Sequence, residues 1–276
     1  MVDPSIIVAF ILNFICIILN GFGIYCLHAQ KGGNHNQRIL LQNLSAIEML
    51  KILNDYVSFT SYYIYQEWYK TNEPFFDLVE IYLQTILFFS LVVISTERLA
   101  CIALNMRYRS LATKLLIKTI VISLWILSFP PALLFWITKS SNVKNHYYLF
   151  FDVLIVVLNI VAFLVIWRVC RRSQQAVFDE TRSPRNQLKI GLVSFLIVTS
   201  FVICNCIPDI INNFYHTELS YNIVVVVWSL GFLSDPCVYI FLNKRTRETA
   251  RNTMERIWCV DNVEQHSDQP VWTTRF

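Results

Sequence analysis

The sequence predicts an all-α membrane protein, a seven-transmembrane helix bundle followed by a short amphipathic eighth helix. Its 276 residues are 55% hydrophobic and only 15% charged, with a mean hydropathy of +0.47, which is too apolar for a soluble domain. Seven apolar stretches, near 5–28, 39–64, 75–104, 115–138, 147–169, 189–214 and 220–242, are each long enough for a helix to cross the hydrocarbon, which takes about 20 residues. The basic residues between them fall almost entirely on alternate connections, as expected of a chain that crosses the bilayer repeatedly.

Each stretch is a continuous apolar run, which excludes a closed β-barrel, whose strands alternate. The first run has no basic segment before it and extends to span length, so it is expected to act as its own insertion signal. Asn13 and Asn20 interrupt it, and Asn43 and Glu48 interrupt the second. The third runs from about Ile81 into Ser95-Thr96-Glu97-Arg98-Leu99. Span four holds Trp125, Pro130 and Pro131, span six Asn205 and Pro208, and span seven Asp235-Pro236-Cys237-Val238-Tyr239. Any one of these could be structural, because Asn bonds between helices and Pro kinks a span whose freed carbonyls find other partners.

The inner side is set by Lys31, Arg38, Arg107, Arg109, Lys114, Lys118, the cluster from Arg168 to Lys189 and the run from Lys244 to Arg256, against Lys70, Lys139 and Lys144 outside. The N-terminus is then extracellular, the C-terminus cytoplasmic and the plasma membrane the expected location. Net charge of +4 is a topology signal, and nucleic acid is not an expected partner. The domain reading is a bundle over 1–242, an amphipathic juxtamembrane helix over 243–258 and a cytoplasmic tail over 259–276. The eight cysteines fall in spans or on the inner side, so no disulfide is expected. Cys259, after the basic run, is either a palmitoylation site that pins the eighth helix to lipid or a free thiol. No histidine lies deep in a span, and neither a metal, a cofactor nor a catalytic residue is expected.

Taken in order, these marks resemble the rhodopsin-like (class A) family of G-protein-coupled receptors. Asn20 matches the family's first-helix asparagine, and Asn43-Leu44-Ser45-Ala46-Ile47-Glu48 its second-helix motif, with Glu for the usual Asp. Glu97-Arg98-Leu99 stands for the acid-Arg-aromatic triplet, followed at the family's spacing by Arg107-Tyr108. Trp125, Pro208 and Asp235 to Tyr239 match the marks of helices four, six and seven, and Phe241 to Arg256 fits the eighth helix. Departures are the missing outer cysteine, whose place is Glu73, a fifth span without proline, and Cys206 where the sixth helix usually has an aromatic toggle. These losses are similar to those of the subgroup holding melanocortin, cannabinoid, lysophospholipid and adenosine receptors.

The resemblance implies a receptor that couples an extracellular ligand to a heterotrimeric G protein, with Glu97 holding Arg98 at rest and Pro208, Pro236 and Tyr239 in the activation switch. It also implies a central site of Glu48, Asp235 and Asn20. Two carboxylates there need a cation or a proton between them, or the Glu48, Lys51 and Asp55 face of span two neutralises the site. Glu80 stands eighteen residues before Arg98, where aminergic receptors carry their ammonium-binding aspartate. Glu80, Asp77 and Glu73 share one stripe, and with Asp209, Trp228 and Tyr147 nearby they suggest a small cationic ligand, an amine or a short peptide. The upper acids could instead be solvated helix-start residues, or ligands of calcium. The rival readings are a non-signalling or scavenging receptor of the same fold and a membrane carrier using Glu48, Lys51, Asp55 and Asp235.

Overall fold

The computed structural model describes residues 4–30, 35–104, 108, 111–138, 149–161, 164–165, 168, 195–197, 199–200, 202–206, 218–242 and 246–255. Every regular element among them is helical: α1 Pro4–Ala29, α2 His35–Ile64, α3 Gln66–Leu104, α4 Lys114–Leu127, α5 Phe129–Thr138, α6 Leu149–Val161, a π-helical turn Val202–Cys206, α7 Glu218–Leu242 and α8 Thr246–Glu255. α1 packs between α2 and α7, α2 also meets α3 and α4, α3 meets α4 and α5, and the π-helical turn lies against α7.

Polarity is inverted relative to a water-soluble bundle. Asn20, Ser45, Thr85 and Ser90 are buried, while α1 presents Ile11, Phe14 and Ile18 outward, α4 presents Ile122 and Ile126, and α6 presents Val153, Val157 and Ile160. Such apolar faces are stable against lipid and costly in water. Phe10–Ala29, Gln66–Cys101 and the α4–α5 pair Lys114–Thr138 are each long and apolar enough to cross a membrane, and Val226–Phe241 with Thr246–Glu255 adds a fourth candidate bent by 92°. By length and polarity these helices are compatible with a multi-pass membrane protein.

α2 departs from that pattern. Its middle carries Glu48, Lys51 and Asp55, so it lacks the uninterrupted apolar run of its neighbours, yet α1, α3 and α4 all pack on it. The stretches expected as spans five and six are described only in part, as α6 and the residues around the π-helical turn. α3 begins earlier than the apolar run near 75, at Gln66, and carries Pro74 inside its first turns. The Pro74 carbonyl accepts Trp136 Nε1–H of α5 at 2.6 Å, which ties the two helices at this end.

Between α4 and α5 the chain turns at Ser128. Its hydroxyl donates to Leu124 O at 2.7 Å, and Tyr82 of α3 donates to Trp125 O at 2.9 Å. Pro130 and Pro131 then stand in the first turn of α5, where a missing N–H costs little. α4 opens with Thr113 as its cap, whose side chain accepts from Leu116 N at 3.2 Å.

Candidate functional site

The central site assembles where α1, α2 and α7 meet. Pro236 has no N–H, so the carbonyl four residues earlier, that of Phe232, lacks its helical partner. Asn20 of α1 supplies one, with Nδ2 donating to Phe232 O at 3.3 Å. An asparagine and a proline 216 positions apart are thereby one unit, the amide repairing the defect the ring creates.

Glu48 of α2 and Asp235 of α7 bring their carboxyls into hydrogen-bonding reach, with the Asn20 amide beside them. Both acids are buried, and among the described residues Glu48 Oε2 and Asn20 Oδ1 have no hydrogen-bond partner. Two buried acceptors beside a carboxyl pair define a place for a proton or a small cation, since the oxygens otherwise repel. On the α7 side, Ser234 Oγ lies 3.4 Å from Asp235 Oδ1 and 2.7 Å from Gly231 O, and it bonds to Ser200. Lys51 takes a different path from the one its spacing suggests. Its ammonium donates to Gln84 Oε1 of α3 and lies 5.2 Å from the Phe232 ring centroid, and among the described residues it forms no ion pair with Glu48 or Asp55. Both acids remain within its electrostatic reach.

Tyr239, three residues after Pro236, is fully buried and shares a 2.7 Å hydrogen bond with Ser45 of α2. Asn43, two positions before Ser45, links three helices. Its Nδ2 donates to Ser90 Oγ of α3 at 3.1 Å, and its Oδ1 accepts Trp125 Nε1–H of α4 at 2.9 Å. At the end of α3, Glu97 is buried and Oε1 accepts a hydrogen bond from Tyr108.

Toward the opposite end of α3, Glu80 is half-buried while Asp77 and Glu73 are exposed. All three lie within electrostatic reach of Tyr69, whose ring stacks on Phe76 at 5.8 Å, with Trp68 edge-on to the same ring. Trp228 is half-buried on α7. Among the described residues, no three of His, Cys, Asp and Glu converge as a metal centre requires. Asp209, Tyr147, Pro208, Cys259 and the side chain of Arg98 lie outside the described residues.

The sequence reading grouped Glu48, Asp235 and Asn20 as a central site and gave Pro236 and Tyr239 to a separate switch, whereas α1, α2 and α7 bring all five into one buried region. It missed Ser45, Gln84 and Ser234, which complete the network. A signal was present for Gln84, a large polar side chain inside the apolar run from Ile81 to Ile94. The chain matches no protein-family model, and no curated protein matches it.

Proposed function

We propose that this protein is a rhodopsin-like G-protein-coupled receptor of the plasma membrane, N-terminus outside, which binds a small cationic ligand and activates a heterotrimeric G protein. The observation that supports the reading best is the convergence of the motif residues. Asn20, Glu48, Asp235, Pro236 and Tyr239 carry the resemblance from three separate stretches of sequence, and all five lie in one buried region where α1, α2 and α7 meet. Asn43 and Trp125, two more of the matching residues, bond directly.

A buried polar network with unpartnered oxygens suits a two-state element better than a static one, because a helix shift can exchange its partners. The Glu97–Tyr108 bond fits such an element at the end of α3 that Arg98 occupies. The half-buried Glu80, with Asp77 and Glu73 above it, supplies the negative potential an ammonium would meet on entry.

The test is basal G-protein activation in cells, compared with Arg98→Ala at matched surface level. A drop to the untransfected background is expected, and equal activity in both would count against coupling. Glu80→Gln separates the ligand claim from the coupling claim. It is expected to weaken a cationic agonist without changing basal activity, and unchanged potency would remove Glu80 as the counter-ion.

A further inference from the structure

We propose that the junction where α2 and α4 begin binds the multiply charged phosphate headgroup of an anionic membrane lipid. The two helix starts are adjacent: Asn36 Nδ2 donates to Ala112 O at 2.8 Å, one residue before the Thr113 cap. His35 and Arg38 lie in the first turn of α2, and Lys114 and Lys118 in the first turns of α4. Lys114, Arg38 and Lys118 all act on the His35 imidazole, and among the described residues no acid does. Like charges brought together without a carboxylate are unfavourable unless an anion joins them.

The hydrogen bonds add a second, independent indication. Arg38 Nη1 donates to Gln30 O, and Nη2 donates to His35 Nδ1 at 3.0 Å. A guanidinium can only donate, so Nδ1 accepts and the ring proton sits on Nε2. Among the described residues, His35 Nε2 and Arg38 Nε are then two buried N–H donors without a partner, on side chains that are themselves half-buried. Interiors rarely leave such donors empty, and a phosphate brings several acceptor oxygens at once. The exposed lysines form the outer part of the site and the imidazole with its arginine the inner part.

Position favours a lipid over a soluble phosphate. Lys114 is the first residue of a membrane-crossing segment, so a group touching it sits at the edge of the hydrocarbon, where headgroup phosphates lie. Leu111, Leu115 and Leu116 are exposed around the lysines and offer an apolar surface for the acyl chains. The site needs only the membrane placement of the bundle and does not depend on the receptor reading.

The full chain in phosphatidylcholine nanodiscs, with and without a phosphoinositide bisphosphate, tests this by measuring lipid bound per protein and its affinity. Lys114→Ala/Lys118→Ala removes two exposed charges without touching the core. Selective binding that this pair weakens by about tenfold is expected. Arg247→Ala/Arg251→Ala removes the same charge from exposed positions on α8 and is expected to change affinity by less than about twofold. Equal loss in both variants would overturn the site in favour of bulk attraction, as would binding no stronger than to phosphatidylcholine alone. Soluble inositol trisphosphate binding as tightly as the lipid would overturn the assignment to a membrane headgroup.

Discussion

Tyr239 lies against Gly23 so closely that a Cβ added to the glycine would stand 2.8 Å from two of its ring carbons and closer still to the phenol oxygen. Real Cβ atoms do not tolerate such contacts, so α1 must be bare at this position for α7 to place its tyrosine against Ser45. Gly23→Ala should therefore displace Tyr239 and cost about 1–3 kcal/mol, read as a lower melting temperature of the purified protein. The cost should disappear in a Tyr239→Ala background, because the clash is then gone. An undiminished cost there would assign the effect to the backbone of α1 and sink the packing argument.

Asn43 joins Ser90 and Trp125, and its removal strands the indole N–H at once. Interhelical hydrogen bonds in membranes average about 0.6 kcal/mol, so Asn43→Ala should cost about 1–2 kcal/mol for the two bonds. Trp125→Phe should cost less than Asn43→Ala, because Asn43 keeps its bond to Ser90. The double variant should be less destabilised than the sum. Strict additivity in melting experiments would mean that the two side chains are not coupled.

Glu48 and Asp235 present a third case. Replacing a buried acid by its amide removes the repulsion between the two carboxylates while keeping the shape. Asp235→Asn should melt at or above the wild type, with the new amide able to donate toward Glu48. A loss of more than about 1 kcal/mol would show instead that the pair is held by a bound cation that the amide cannot replace.

How far the sequence reached is visible in single elements. α1 and α7, at Pro4–Ala29 and Glu218–Leu242, nearly coincide with the apolar runs 5–28 and 220–242. α3 does not, because apolarity marks the thickness of the bilayer while the helix continues through Gln66 to Pro74 beyond it. α2 covers the expected second span 39–64, but with Glu48, Lys51 and Asp55 in its middle it is not among the described helices apolar enough to cross a membrane. Asn20 and Pro236 were legible because each breaks a local rule, an amide in hydrocarbon and a proline in a helix. Gly23, Ser45 and Lys51 were not, because the rotation of one helix against another decides whether a small residue meets a phenol or an ammonium meets Gln84. Residue spacing along α2 placed Lys51 with Glu48 and Asp55, and the fold gives its hydrogen bond to α3 instead.

His35 gives a pH-dependent prediction. Burial, with Lys114, Arg38 and Lys118 around it, holds its pKa below the ordinary 6.5. The unfolded chain therefore takes up this proton at a higher pH than the folded protein, and protonation favours unfolding. The stability linked to His35 is fully present above pH 6.5 and is lost as the pH falls through the lower folded value. Melting temperatures measured from about pH 7.5 to about pH 5, the range in which imidazole titrates, should fall more steeply for the wild type than for His35→Gln. An anionic headgroup at the α2–α4 junction would oppose the three cations and raise the folded pKa, so adding a phosphoinositide should flatten the wild-type profile and leave that of His35→Gln unchanged in slope. Parallel slopes for the two proteins without the lipid would show that His35 is not the titrating group.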